Sequence, residues 1–144
     1  MSRKLGHNGT FEDFLRHLKT DGKFILTDPV EHFRKLLSGD INPSLLKSGA
    51  FDVVKDDVDN VAVMPIPNHV SGGYAFYVPD NVQRSNGGTF FVNTRRGQAP
   101  KSYQAMSIAL HEANPGHHLQ NAHLRTSGHF PDFMSRPFNM RMTR

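Results

Sequence analysis

Residues 111–120 read HEANPGHHLQ, a His-Glu pair followed within two helical turns by a His-His pair. In the H-E-x-x-H motif, two histidines four positions apart lie on one helical face and bind one zinc ion, and the adjacent glutamate activates a water molecule. Here the position four residues after His111 is Pro115, which cannot bind a metal. The stretch therefore predicts a helix-borne zinc site with an altered spacing.

The altered spacing leaves two candidates for the second ligand. On a straight helix His117, six positions after His111, lies roughly 120° away around the axis. His118, seven positions after His111, returns to the same face about 10 Å further along the helix. Neither histidine fits a simple helical chelate, because zinc holds its nitrogen ligands at about 2.0–2.1 Å.

Pro115 changes the helix geometry in a way that can bring the second histidine to the metal. Its ring removes a backbone N–H and clashes with the preceding turn, so we expect the helix to break or bulge there. Gly116 beside it relaxes the backbone. If Asn114 and Pro115 were looped out, His117 would take the place of the usual second histidine.

We therefore predict that His111 and His117 are the metal ligands and that Glu112 is the general base. His118 is predicted to act in catalysis as a donor that steadies the oxyanion, and it is also the alternative second ligand. The alternative is a histidine-rich helix end without a metal, whose protonated rings interact with the helix dipole. The chain contains nine histidines, so such a cluster can arise by chance.

Composition places the chain among ordinary globular proteins. Its 144 residues suffice for one domain at most, with 37% hydrophobic and 21% charged residues. The net charge of +4 is scattered, so no nucleic-acid partner is expected. The absence of cysteine excludes disulfides and thiolate metal sites, and leaves the compartment open. We find neither a signal peptide nor an apolar run of the roughly 20 residues that a membrane span needs.

Residues 10–50 have a helical pattern. Thr10, with Asp13 three residues on, predicts the N-cap of a first helix, and Asp28-Pro29 predicts the start of a second, which Gly39 should end. A third turn should follow at Asn42. The residues expected in the core by their helical spacing are Phe11, Phe14, Leu15 and Leu18 in the first helix, and Val30, Phe33, Leu36 and Leu37 in the second.

Residues 60–95 change to a β pattern, and residues 100–126 return to a helical one. Strands are expected at residues 61–67, 74–78 and 89–94, and their short connections favour a small antiparallel sheet. The helix that begins near Pro100 should run into His111-Glu112, with Ala105 and Ala109 allowing close packing. The predicted fold class is α+β, mainly helical, with the sheet packed beside the active-site helix.

The chain resembles the family catalogued as domain of unknown function 885. Residues 18–24, LKTDGKF, are similar to its L-x-T-D-P-x-F segment, with Gly22 in place of proline. Residues 88–94, GTFFVNT, match its G-x-F-x-V-N-T strand, and residues 109–120 match its A-L-H-E-x-x-P-G-H-H-L-Q signature. The resemblance spans most of the sequence, and the last motif is the most specific.

The resemblance implies a helical, zincin-type metallopeptidase, hence a hydrolase that cleaves peptides with a zinc-activated water. It implies that His111 and either His117 or His118 bind zinc, that Glu112 is the catalytic carboxylate, and that a peptide substrate pairs with the strand at residues 89–94.

The family carries a further E-G-W segment, whose glutamate is expected to be the third ligand, and this chain contains no tryptophan. We therefore expect residues 1–144 to be a partial domain, a fragment in which zinc binding is weak or absent. The alternatives are a non-catalytic module that binds a peptide or partner, and an inactive truncated paralogue.

Overall fold

The computed structural model describes residues 8–52, 55–79 and 87–126. It has an α+β fold that is mainly helical, as predicted. The helices are α1 (Phe11–Thr20), α2 (Pro29–Leu36), α3 (Asn42–Ser48), α4 (Lys55–Asp59), α5 (Ser102–Glu112) and α6 (His117–Thr126). The strands are β1 (Ala62–Pro65), β2 (Ala75–Val78) and β3 (Thr89–Val92). A 3-10 turn covers Gly22–Phe24 and a π-helical turn covers Leu37–Ile41.

The three strands form a mixed sheet in the order β1-β3-β2. The predicted antiparallel pairing is correct for β2 and β3, but β1 pairs with β3 in parallel, so the prediction of an antiparallel sheet is wrong for β1. The reason lies at the two ends of the loop at residues 66–74. The Ile66 N–H donates to the carbonyl of Val92, and the Asn93 N–H donates to the carbonyl of Tyr74. Both loop ends therefore bond to the β3 segment, which lies between β1 and β2.

The main core lies between one face of this sheet and helices α2 and α5. Phe33 and Phe90 meet edge to face with ring centroids 5.1 Å apart, and both are fully buried. The other buried members are Leu37, Ile41, Val63, Val92, Ala105, Ala109 and Ala113. The alanines let α5 approach the core closely, as the sequence predicted, and they hold the candidate site against the rest of the fold.

Local signals place the first helices correctly, but one predicted boundary is wrong. Thr10 and Asp13 form a capping box at the start of α1, and the Asp28 side chain accepts a hydrogen bond from the backbone N–H of Glu31. Gly39 does not end the second helix, because the backbone continues through the π-helical turn into α3. A helical glycine costs only about 1 kcal/mol relative to alanine, and the buried Leu37 and Ile41 on either side offset it.

The prediction that the apolar face of α1 belongs to the core is also wrong. None of its residues is buried, and Phe11 is 64% exposed. The capping box explains why the helix forms without such packing. The outer side of α5 is likewise open, with Met106 and Leu110 exposed. None of the helices in the described ranges is both long and apolar enough to span a membrane.

Candidate metal centre

The helical backbone breaks at the predicted place. Helix α5 ends at Glu112, residues 113–116 form a turn, and α6 begins at His117. Ala113 has φ −104° and ψ −101°, values outside the helical region, although its N–H still donates to the carbonyl of Ala109. The peptide bond between Asn114 and Pro115 is cis. The two predicted ligands thus sit at the end of one helix and the beginning of the next.

Gly116 lets the turn fold back tightly onto the end of α5. A Cβ atom built on this residue would overlap the carbonyl group of His111 and crowd the carbonyl oxygen of Leu110. A residue with a side chain cannot adopt this arrangement without a backbone shift. Gly116 was predicted to relax the backbone; in the structure its role is stricter, because it permits close contact between two backbone segments.

The turn brings His111, Glu112 and His117 together. One ligand atom from each of the three side chains lies within 4.8 Å of the other two. The two imidazole rings are 4.8 Å apart between centroids and nearly perpendicular, at 80°. His111 is exposed and Glu112 is half-buried, so the group is open to solvent on one side.

Two imidazoles are ligands that suit zinc, and the carboxylate beside them is a group that can accept a proton. Since zinc–ligand bonds are about 2.0–2.1 Å long, a shared ion requires the two imidazoles to move closer by side-chain rotation. The exposed position of His111 leaves room for that rotation. The residues present therefore fit a zinc ion.

His118 occupies a different environment from its neighbour. It is 1% exposed, and its Nε2 lies 2.8 Å from the backbone oxygen of Asp57. Because a carbonyl can only accept, Nε2 carries the proton and donates. The other nitrogen, Nδ1, lies 3.1 Å from the hydroxyl of Tyr77. Both ring nitrogens of His118 thus have protein partners, which leaves His117 as the histidine that faces His111.

Asn114 is fully buried directly before the cis bond. Its amide nitrogen donates to the side-chain oxygen of Asn42 at 2.9 Å and to the backbone oxygen of Val58 at 2.7 Å. Asn42 in turn donates to the Asp59 carboxylate at 3.0 Å. Hydrogen bonds from Lys55 and Asn42 lower the pKa of Asp59, against the opposing effect of partial burial. The turn is therefore tied to α3 and α4 by a polar network.

Helix α4 was not predicted from the sequence, although this short helix supplies the backbone oxygens that accept from Asn114 and His118. Residues 55–59 carry no apolar periodicity, so the pattern of hydrophobic residues could not indicate a helix. The available signal was the pair Lys55 and Asp59, four positions apart and hydrogen bonded in the structure. Such a pair favours a helix only weakly.

An open depression of about 380 Å³ lies over the two candidate ligands, lined by Leu110, His111, Pro115, Gly116, His117 and Gln120. A larger cleft of about 750 Å³ lies elsewhere, between the α2–α3 region and β1, with Arg34 and Lys55 among its lining residues. None of the candidate ligands lines that cleft. We place the site in the smaller depression because the chemistry-bearing groups are there.

The expectation that a peptide pairs with the strand at residues 89–94 does not agree with the sheet. β3 is the central strand and bonds to β1 on one side and to β2 on the other. A strand paired on both sides has no edge left for an added peptide. Among the residues that the structure describes, the edges of this sheet belong to β1 and β2.

The comparisons with known proteins concern the family and the fold. The model of a family described as bacterial protein of unknown function (DUF885) matches residues 1–141. No curated protein is significantly similar to the chain. Among solved structures, the chain is similar to a crystal structure described as that of a presumed lipoprotein from Colwellia psychrerythraea, with 24% identity and a TM-score of 0.60. This similarity covers 89% of our chain and 23% of the other, so the chain spans about a quarter of that protein's length.

Proposed function

Since this chain belongs to the DUF885 family of bacterial proteins, we propose from the geometry of its site that it carries the zinc-binding part of a hydrolase that cleaves peptide bonds. The observation that supports the proposal is the convergence of His111, Glu112 and His117 within 4.8 Å. Two imidazoles beside a carboxylate are the donor types of zinc hydrolases.

In this proposal His111 and His117 hold the ion through neutral imidazole nitrogens. A zinc ion held in this way polarises a carbonyl group and lowers the pKa of water towards 7. The Glu112 carboxylate accepts a proton from the attacking water and passes it to the amine that leaves. Glu112 is half-buried and lies next to both histidines.

The proposal gives His118 no part in the chemistry. Its two ring nitrogens are engaged with Asp57 and Tyr77, so it is a poor candidate for the second ligand or for the oxyanion donor. A catalytic zinc ion usually has three protein ligands. We propose that a residue outside the described ranges supplies the third ligand, because the group found within those ranges consists of His111, Glu112 and His117.

The proposed substrate is an extended peptide that adds to the sheet at the outer edge of β2 rather than at β3. The Asn93 N–H donates to the Tyr74 carbonyl, so residues 74, 76 and 78 direct their backbone groups towards β3. Ala75 and Tyr77 direct theirs to the outer edge. The Tyr77 side chain also contacts His118, the residue that follows the candidate ligand His117.

Hydrolysis of a quenched-fluorescence peptide library by the zinc-loaded protein tests the proposal. We expect Glu112→Gln to abolish cleavage while the variant still binds zinc, because the amide cannot take up a proton. Glu12→Gln, at an exposed position in α1, is the matched control and should retain activity. Equal cleavage by the wild type and Glu112→Gln would reject Glu112 as the base. Peptide binding without cleavage, unaffected by a chelator, would favour a binding module instead.

A further inference from the structure

We infer that α4 sets the separation of the two candidate zinc ligands, and that Asn114 and His118 are the positioning residues through which it acts. The inference rests on the proposed zinc site, because it concerns how that site is held. The observation behind it is that two consecutive carbonyl groups of α4 bind the two side chains on either side of the segment 115–117.

The two contacts are matched in sequence and in space. The amide of Asn114 donates to the backbone oxygen of Val58 at 2.7 Å. The Nε2 of His118 donates to the backbone oxygen of Asp57 at 2.8 Å. One contact lies immediately before the segment 115–117 and the other immediately after it, so α4 holds this segment at both of its ends.

The contact of Asn114 with Val58 is buried, and the contact of His118 with Asp57 is partly buried. Asn114 is 0% exposed and His118 is 1% exposed, and Val58 is also fully buried. Breaking either bond would leave a buried N–H group of Asn114 or His118 without its acceptor on α4, a state that is costly away from water. The bonds therefore restrain the turn more firmly than exposed contacts of the same length would.

The restraint decides where His117 points. Successive side chains on a helix are about 100° apart, so a small rotation of α6 about its axis would swing His117 away from His111. The His118 ring opposes that rotation, because it lies between Asp57 of α4 and Tyr77 of β2. Helix α5 is fixed separately by its alanines in the core. Helix α4 thus links α6 to the rest of the fold.

A purely structural role makes a different prediction from a positioning role. If Asn114 and His118 serve only stability, their loss lowers the melting temperature but leaves the folded protein with its two histidines together. If they position the ligands, their loss separates the histidines in a protein that is still folded. The test must therefore measure the site itself and include a variant that is destabilised elsewhere.

The experiment uses Asn114→Leu, which removes both donors at similar volume, and the pair His118→Phe and His118→Gln. The Gln amide can still donate to Asp57, so it is the conservative variant. Val63→Ala, in the buried part of β1, is the control for lost stability. The first measurement is the nuclear Overhauser effect between the ring protons of His111 and His117 in metal-free protein. The second is zinc affinity by calorimetry.

We expect Asn114→Leu and His118→Phe to lose the ring-to-ring signal and to bind zinc about 10- to 100-fold more weakly. His118→Gln should recover both, and Val63→Ala should keep both. Wild-type signal and affinity in Asn114→Leu or His118→Phe would overturn the inference. If Asn114→Leu does not fold, the comparison of His118→Phe with His118→Gln tests the inference. A wild-type protein without zinc affinity would overturn the proposed function alone, because the proton signal is measured without metal.

Discussion

The imidazole rings of His111 and His117 lie 4.8 Å apart between centroids, although six positions separate the two residues and a helix ends between them. On an unbroken helix the same residues would lie on different faces. The proximity is produced by the turn at residues 113–116 and by its contacts with α4. The predictions below test these causes one at a time.

Gly116→Ala should destabilise the protein and weaken zinc binding together. The added methyl group overlaps the carbonyl of His111, so the turn must open, at a cost of about 1–3 kcal/mol in the free energy of unfolding. Urea unfolding and zinc calorimetry measure the two effects. The control is Gly39→Ala, where an added Cβ meets nothing within 4 Å and should stabilise the helical segment by about 0.4–1 kcal/mol. Unchanged stability in Gly116→Ala would contradict the close-contact role.

Tyr77→Phe should destabilise the protein by about 1–2 kcal/mol, because its hydroxyl group is part of a partly buried network. That hydroxyl donates to the Gly87 carbonyl at 2.8 Å and lies 3.1 Å from Nδ1 of His118. Chemical denaturation measures the loss. Tyr103→Phe is the matched control, since Tyr103 is 46% exposed and its variant should unfold like the wild type. Equal losses in both variants would show that the Tyr77 network adds nothing specific.

Asp59→Asn should lower stability at neutral pH, and the difference from the wild type should shrink in acid. The Lys55 hydrogen bond and the Asn42 amide lower the pKa of Asp59 below 3.8, so the folded state favours the carboxylate. That stabilisation is fully present above the unfolded pKa and is lost as the pH falls through the lower folded value. Unfolding curves of metal-free protein from pH 7 down to pH 3 measure the difference. A difference that stays constant over this range would contradict the assignment.

The sequence predicted local features of the fold better than its tertiary arrangement. The N-caps at Thr10 and Asp28 are determined by neighbouring residues, so they could be found without the structure. The parallel pairing of β1 with β3 depends on how the loop at residues 66–74 crosses the sheet, and no local signal describes that path. The prediction that α1 is buried was wrong for a similar reason. Amphipathic spacing indicates that a helix has an apolar face, but it does not indicate what covers that face.

For the candidate site, the sequence predicted the residue types and the break, but not what holds them. Pro115 and Gly116 indicated where the helix ends because their effects on the backbone are local. The choice between His117 and His118 needed the positions of Asp57 and Tyr77, which are distant in sequence. The role of α4 could not be predicted because the helix contributes backbone oxygens. Every residue has such an oxygen, so the side chains at residues 55–59 do not indicate this role.

Zinc calorimetry on the wild type, His111→Ala, His117→Ala and His69→Ala tests the central claim most directly. His69 is an exposed histidine in the loop between β1 and β2, so its variant controls for the loss of an imidazole. We predict one weakly bound zinc ion in the wild type and in His69→Ala, and binding lost in His111→Ala and His117→Ala. Equal affinity in all four proteins, or no zinc bound by any of them, would contradict a zinc ion shared between the two rings.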